Sequence, residues 1–128
     1  MDYGIKILVV EDQLAAQLFV KRTLKKLGYH DVVVVDDGRK ALREINANDY
    51  DLVISDWHMP NMDGLNFFKA LRNGSILKKI PFLLVTADME KENVMKAMKA
   101  GVDQYIVKPV QPDELQARIK QFFEGVEY

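Results

Sequence analysis

Short apolar runs and amphipathic stretches alternate along the whole chain. Five runs are apolar at nearly every position, which is typical of strands covered on both faces of a parallel sheet. Between them, apolar residues recur every three or four positions, the spacing that places them on one face of a helix. The predicted strands span 7–10, 32–35, 52–55, 82–86 and 105–107.

Glycine and proline mark the ends of the predicted helices. The first helix is expected to stop at Gly28 and the fourth at Gly101, because glycine readily adopts the backbone conformation that ends helices. Pro112 is expected to open the fifth helix, since proline suits a first helical turn. The apolar residues that mark the helices are Leu14, Leu18, Val20, Leu24 and Leu27; Ala41, Leu42 and Ile45; Leu65, Phe68 and Leu71; Val94, Met95, Ala97, Met98 and Ala100; and Leu115, Ile119, Phe122 and Phe123.

Five strand–helix units in succession predict an α/β fold with a doubly wound parallel sheet and right-handed crossovers. With five strands, the flavodoxin-like (βα)5 arrangement with strand order 2-1-3-4-5 is favoured. Its ligand crevice lies at the carboxyl ends of the strands, between strands one and three. The length of 128 residues predicts one domain over residues 1–128.

Composition narrows the class of protein. Apolar residues make up 48% of the chain and charged residues 29%, as in soluble globular proteins. The net charge of −1, without a basic helix or a long apolar stretch, argues against nucleic-acid and membrane partners. The absence of cysteine excludes thiolate catalysis and cysteine metal sites, and it fits a reducing compartment. We therefore expect a cytoplasmic protein.

Polar side chains collect at the ends of four predicted strands. Strand one is followed by Glu11 and Asp12, and strand three by Asp56. Strand four ends in Thr86, and strand five is followed by Lys108. Because the carboxyl ends of parallel strands meet at one edge of the sheet, these side chains are expected to converge. Each residue alone could be a helix cap, a strand residue or a surface lysine, but their joint placement favours a site.

The chemistry of this set points to phosphoryl transfer. Three crowded carboxylates repel one another, and a hard cation such as Mg²⁺ relieves that repulsion while leaving room for a phosphate. Lys108 supplies positive charge for phosphate oxygens, and Thr86 supplies a hydroxyl donor. A carboxylate is also a possible covalent nucleophile toward a phosphoryl group. The interpretation is a Mg²⁺-dependent site at Asp56.

The motifs themselves resemble those of bacterial two-component response-regulator receivers, over essentially the whole chain. Several of them resemble in particular the single-domain chemotaxis regulators of the CheY type. The segments that carry the family resemblance are Glu11-Asp12, residues 56–64, Thr86-Ala87 and Lys108-Pro109; those that carry the chemotaxis resemblance are Ser55-Asp56-Trp57, residues 59–64, Lys91-Glu92-Asn93 and Tyr105.

The resemblance implies a role for each site residue. Asp56 would accept a phosphoryl group from a histidine kinase, and Glu11, Asp12, Asp56 and the main-chain carbonyl of His58 would hold Mg²⁺. Lys108 would contact the phosphoryl group. The only reactions implied are the protein's own phosphorylation and dephosphorylation, so it would not be an enzyme that turns over a substrate.

The resemblance also implies a switch and an output surface. Thr86 would move toward the phosphoryl group and Tyr105 would turn inward, while Lys108 would precede a cis bond to Pro109. A downstream protein would bind the face built by helix four, strand five and helix five. Residues that could contribute to this face are Lys91, Met95, Lys99, Tyr105, Arg118 and Lys120.

Three departures favour a general receiver over a regulator of the flagellar motor. Val110 stands where the chemotaxis regulators often have phenylalanine, His58 where they often have asparagine, and the segment 13–17 differs from their usual first helix. A receiver in a phosphorelay other than chemotaxis is therefore one alternative. His58 and Asp88 are also expected at opposite rims of the crevice, where a contact between them would limit the approach of water to Asp56.

Two rivals come from other classes of protein. A phosphatase of the haloacid dehalogenase type also uses an aspartate nucleophile and Mg²⁺, but its second acid would stand at the position of His58. A flavodoxin-like FMN carrier would need a loop rich in serine, threonine and glycine after strand one. The acidic residues Glu11 and Asp12 occupy that position instead.

Overall fold

The computed structural model describes residues 4–73, 80–87 and 91–123, without the side chain of Lys91. In these ranges, strands and helices alternate as the sequence predicts, with two strands one residue longer than expected. The elements are β1 (Ile7–Val10), α1 (Leu14–Lys26), β2 (Val32–Val35), α2 (Gly38–Ala47), β3 (Leu52–Asp56), α3 (Gly64–Asn73), β4 (Phe82–Thr86), α4 (Lys91–Ala100), β5 (Gln104–Val107) and α5 (Pro112–Phe123).

The five strands form one parallel sheet in the order β2-β1-β3-β4-β5, which confirms the predicted flavodoxin-like topology. The register aligns the carboxyl ends of the central strands. Val10 lies opposite Ser55, and Asp56 lies opposite Val85. The residues that follow β1 therefore lie at the same edge of the sheet as the last residues of β3 and β4.

An apolar layer covers each face of the sheet. On one face, side chains of α2, α3 and α4 pack against alternate strand residues such as Leu8, Phe82 and Leu84. On the other face, α1 and α5 pack against Ile7 and Val9 and their neighbours. Each fully buried side chain of this size contributes roughly 1.5–3 kcal/mol. The two apolar layers therefore hold the strands, and the residues at their ends, in place.

The edge strand and the N-terminal half of α1 differ from the sequence expectation. All four valines of β2 are only partly buried, because β2 lies at the edge of the sheet and has one neighbouring strand. In α1, Leu14 and Leu18 are 68% and 45% exposed, whereas Val20 and Leu24 are buried. The helical spacing located this helix correctly, but Leu14 and Leu18 lie on its outer side.

The predicted helix boundaries are confirmed where glycine and proline mark them. Gly28 and Gly101 follow α1 and α4 with positive φ angles of 103° and 93°. The α5 helix begins at Pro112. None of the helices that the structure describes is both long enough and apolar enough to cross a membrane.

Candidate functional site

The three carboxylates predicted to converge do so at the carboxyl edge of the sheet. Glu11 and Asp12 directly follow β1, and Asp56 is the last residue of β3. One carboxylate oxygen from each residue lies within 4.8 Å of the other two. Glu11 is 4% exposed and Asp56 9%, while Asp12 is half-buried. Carboxylate oxygens this close together form a candidate site for a hard divalent cation.

Local contacts position Glu11 and leave Asp12 outside the helix cap. The N-cap residue of α1 is Gln13 rather than Asp12, so Asp12 does not cap this helix. The side chain of Gln13 makes no capping hydrogen bond. Glu11 Oε2 accepts a hydrogen bond from the main-chain N–H of Gln13 at 3.0 Å. The Gln17 side-chain amide donates to the main-chain carbonyl of Glu11 at 2.6 Å. These bonds tie the start of α1 to the acidic pair.

Lys108 brings a positive charge into the acidic cluster. Its Nζ lies 3.1 Å from Glu11 Oε1 and 3.4 Å from Asp56 Oδ1. Its main-chain N–H donates to the carbonyl of Thr86 at 2.8 Å, which fixes the residue relative to the end of β4. The Lys108–Pro109 peptide bond is cis, as the resemblance implied.

The site carries more negative charge than Lys108 compensates. Burial raises the pKa of Asp56 above its usual range, and the nearby Glu11 carboxylate raises it further, partly offset by Lys108. Burial alone would lower the pKa of Lys108, but the Asp56 carboxylate and the hydrogen bond to Glu11 outweigh burial and raise it. Because the donor set is all oxygen and its charge is in excess, the residues present fit Mg²⁺.

Thr86 and Tyr105 lie on neighbouring strands and on the same face of the sheet. Thr86 is the fully buried last residue of β4 and lies opposite Val107. Tyr105 lies opposite Leu84 and packs with it against the α2–α4 layer. Since side chains two residues apart on a strand share a face, Thr86 lies on the same side as Tyr105. The two predicted switch residues are therefore brought together by the sheet.

The loop from Trp57 to Asp63 returns the chain directly from β3 to α3. Gly64 N–H donates to the carbonyl of Trp57 at 2.7 Å. A side chain at Gly64 would place its Cβ 2.1 Å from the carbonyl oxygen of Asp56, so only glycine fits this approach. His58 is exposed, and its ring stacks on Trp57 with centroids 5.7 Å apart and planes 8° apart. Asp88, the predicted contact of His58, lies outside the described residues.

The predicted output residues lie on neighbouring elements. Met95 and Lys99 on α4 and Lys120 on α5 are exposed, while Tyr105 is half-buried. Arg118 donates to the side chain of Gln104 at 2.8 Å, which joins α5 to β5. The side chain of Lys91 lies outside the described residues.

Two features near the site escaped the sequence reasoning. Asp37 caps α2 and also accepts a hydrogen bond from Asn61, a contact between residues far apart in the sequence. The Asp-Gly pair before an amphipathic stretch is a signal for the cap but not for the second bond. An apolar cavity of about 530 Å³ also opens beside Asp56 between α1 and the loop after β5, with Phe19 and Val110 in its wall.

Comparison with known proteins decides the family. The family model described as response regulator receiver domain matches residues 7–120. The chain belongs to the response-regulator receiver family. Receivers are signalling switches rather than enzymes that turn over a substrate, and the haloacid dehalogenase alternative is not favoured.

Curated relatives of this receiver include chemotaxis proteins. Chemotaxis protein CheY1 of Helicobacter pylori is 40% identical over 117 residues, which cover 91% of this chain and 94% of the relative. Chemotaxis protein CheY-3 of Vibrio cholerae is 36% identical over 124 residues, covering 97% of this chain and 95% of the relative. The receiver is therefore homologous to CheY proteins over most of its length.

Solved structures similar to this receiver include receiver domains of histidine kinases. One, from Syntrophus aciditrophicus, has a TM-score of 0.88 and 32% identity and covers 97% of this chain and 93% of that one. Another, from a sensor histidine kinase of Pseudomonas aeruginosa, has a TM-score of 0.84, 32% identity and coverage of 96% and 99%. The latter structure contains a magnesium ion coordinated in its active-site cleft.

Proposed function

We propose that this receiver is a phosphoacceptor switch that takes a phosphoryl group on Asp56 in the presence of Mg²⁺. The observation that carries the proposal is the convergence of Glu11, Asp12 and Asp56 within 4.8 Å, with the Lys108 ammonium 3.4 Å from Asp56. Glu11, Asp12, Asp56 and the main-chain carbonyl of His58 would hold the cation. Bound Mg²⁺ would neutralise charge on the phosphoryl oxygens.

The proposed donor is a phosphohistidine on a kinase. A carboxylate oxygen of Asp56 attacks the phosphorus atom, and the bond from phosphorus to the histidine nitrogen breaks as the acyl phosphate forms. Lys108 and the hydroxyl of Thr86 supply charge and a hydrogen bond to the phosphoryl oxygens. Attack of water on the same phosphorus atom later restores the Asp56 carboxylate and releases inorganic phosphate. The chain thus acts on its own phosphoryl group and turns over no separate substrate.

The proposed output is binding of a partner protein to the α4–β5–α5 face. Met95, Lys99 and Lys120 are exposed there, and Tyr105 joins this face to Thr86 through the sheet. The curated CheY relatives support a role in chemotaxis, and the kinase receivers among the structural neighbours support a phosphorelay of another kind. The family match over residues 7–120 supports a single receiver domain over residues 1–128.

Intact-mass spectrometry tests the acceptor. Incubation with a small phosphodonor and Mg²⁺ should add one phosphoryl group to the wild type, and chelation of the metal should prevent the addition. Asp56→Asn should remain unmodified. Asp49→Asn, which alters an exposed carboxylate away from the site, is the matched control and should be modified as the wild type is. An equal gain of mass in Asp56→Asn would contradict the assignment.

Fluorescence of Trp57 tests the metal site, because this tryptophan is buried directly after Asp56 and is the chain's only one. Addition of Mg²⁺ should quench or shift its emission. Asp12→Ala should weaken Mg²⁺ binding by about tenfold or more, since it removes a charged oxygen ligand. The same titration curve in both proteins would remove Asp12 from the site.

A further inference from the structure

The carboxylate of Asp37 joins two parts of the chain that lie 24 residues apart. Its Oδ1 accepts a hydrogen bond from the main-chain N–H of Lys40 at 2.9 Å and so caps α2. Its Oδ2 accepts a hydrogen bond from the side-chain amide of Asn61 at 3.0 Å. Asp37 is only 7% exposed. It does not belong to the acidic cluster of Glu11, Asp12 and Asp56. One buried carboxylate therefore links the start of α2 to the loop after β3.

The residues that follow Asp37 and Asn61, namely Gly38 and Met62, are also closely packed. A side chain at Gly38 would place its Cβ 3.0 Å from both Cγ and the main-chain oxygen of Met62. That distance is shorter than ordinary van der Waals contact, so the first residue of α2 already lies directly against the loop. The hydrogen bond of Asp37 and the packing of Gly38 therefore act on adjacent residues, Asn61 and Met62.

The backbone of the loop is unusual at Asn61, the residue that donates to Asp37. The φ angle of Asn61 is 67°, in the left-handed region. This conformation is unfavourable for a residue with a side chain, although less so for asparagine than for most others. A hydrogen bond to an ionised acceptor is among the stronger ones in proteins and can offset this cost.

We propose that Asp37 is a positioning residue for the metal site: through Asn61 it fixes the loop that carries the main-chain carbonyl of His58. This inference rests on the proposed function, because the loop matters for metal binding only if that carbonyl is a ligand. Asp37 touches neither the three clustered carboxylates nor Lys108 in any described contact. Its action would be that of an outer residue that orients a ligand, a role in which mutation typically costs 10–100-fold in metal affinity.

Two variants separate the link to the loop from the helix cap. Asp37→Ser retains an oxygen that can cap α2, but its side chain is too short to reach Asn61. Asn61→Gly removes the amide and tolerates the left-handed backbone. Each should weaken Mg²⁺ binding by about tenfold, measured on Trp57. The double variant should be no weaker than either single one, because both remove the same bond.

Two further variants complete the comparison. Asp36→Ser removes an exposed ion pair with Lys40 next to the linking residue and should bind Mg²⁺ as the wild type does. The exchange Asp37→Asn with Asn61→Asp reverses donor and acceptor across the same distance. It should restore most of the affinity lost in the single variants, because it restores the bond between the two side chains.

A readout without metal makes the test independent of the acceptor chemistry. Gly64 N–H bonds to Trp57 and closes the loop, so its hydrogen exchange reports how well the loop is held. Relative to the amide of Leu83 in the core, it should exchange faster in Asp37→Ser and in Asn61→Gly. Unchanged exchange and unchanged Mg²⁺ affinity, or additive losses in the double variant, would overturn the proposal. Failure of the wild type to take phosphate on Asp56 would instead refute the proposed function.

Discussion

Lys108 Nζ lies 3.4 Å from Asp56 Oδ1, so the proposed acceptor is already paired with a cation in the structure. The Lys108 charge does not fully offset the effects of burial and of Glu11 on the Asp56 carboxylate. Burial, followed by the Glu11 carboxylate, still raises the pKa of Asp56 above its usual range. Without a divalent cation, the ionised form of Asp56 is therefore less favourable in the folded protein than in the unfolded chain.

Replacement of the acceptor should stabilise the metal-free protein. A carboxyl group with a raised folded-state pKa holds its proton to higher pH in the folded state than in the unfolded one. Stability contributed by that proton is present below the unfolded pKa and is lost as pH rises through the folded pKa. Asp56→Asn should remove this loss and raise the free energy of unfolding near pH 7.

Urea unfolding at several pH values in the presence of a chelator measures this effect. The advantage of Asp56→Asn should shrink toward acid pH, where the wild-type carboxyl is protonated. Mg²⁺ should stabilise the wild type more than the variant, because the variant lacks one ligand charge. A variant that is less stable than the wild type near pH 7, or that Mg²⁺ stabilises equally, would contradict this prediction. It would show that the ionised Asp56 carboxylate does not destabilise the metal-free protein.

The sequence predicted the topology and the converging site because both follow from the order of the elements. Alternating strands and helices permit few arrangements, and in the one adopted the carboxyl ends of β1, β3 and β4 share an edge. Residues next to those ends, such as Glu11, Asp56 and Thr86, could be placed from their position alone. The one-residue extension of β3 to include Asp56 did not alter that placement.

The sequence pattern does not predict features that depend on tertiary contacts. Leu14 and Leu18 have helical spacing, but only the way α1 lies on the sheet decides that they face outward. The bond between Asp37 and Asn61 joins two loops whose separation no local signal encodes. The stacking of His58 on Trp57 depends on side-chain conformations, which periodicity does not determine.

The close approach of Gly64 to Asp56 predicts a severe effect of one added methyl group. Gly64→Ala would force a Cβ to 2.1 Å from the main-chain oxygen of Asp56, so the backbone of the loop must move. We expect a loss of about 3 kcal/mol in the free energy of unfolding, at the upper end of overpacking costs. We also expect weaker Mg²⁺ binding on Trp57, because the moved backbone belongs to the site.

Gly101→Ala is the matched control for this prediction. Gly101 has a φ angle of 93°, so alanine is strained there, but an added Cβ would meet nothing within 4 Å. It should cost about 1 kcal/mol and leave Mg²⁺ binding unchanged. Similar effects of the two variants on Mg²⁺ binding would show that loss of stability, rather than the approach to Asp56, is responsible.

Thr86 and Tyr105 should be coupled through the sheet when Asp56 is phosphorylated. The hydroxyl of Thr86 can contact a phosphoryl group in one state only, which supplies the differential interaction that a switch needs. Thr86→Ala should still accept a phosphoryl group but lose the phosphorylation-dependent NMR shifts around Tyr105. Thr86→Ser, which keeps the hydroxyl, should retain much of the response.

A second buried threonine provides the control for the switch. Thr23 on α1 donates from its hydroxyl to the main-chain oxygen of Phe19 at 2.8 Å, away from the site. Thr23→Ala should leave the shifts around Tyr105 intact despite a similar change in chemistry. A full response of Tyr105 in Thr86→Ala would contradict the coupling between the two residues.

His58 is the residue expected to influence how long the phosphoryl group persists. His58 lies two residues after Asp56, and its exposed ring stacks on Trp57. We expect this ring to restrict the approach of water to the phosphoryl group. The proposed metal contact of His58 is through the main-chain carbonyl, which His58→Ala retains. The variant should therefore lose its phosphoryl group faster, by up to about tenfold, which corresponds to about 1.4 kcal/mol in the barrier. Its Mg²⁺ affinity should stay close to that of the wild type.

Intact-mass spectrometry in excess Mg²⁺ measures how fast phospho-Asp56 decays in the wild type and in His58→Ala. An NMR titration with Mg²⁺, which does not rely on Trp57, measures the metal affinity of both proteins. Equal decay rates would show that the ring does not limit access of water, and a collapse of Mg²⁺ binding would place His58 in the metal site by its side chain as well.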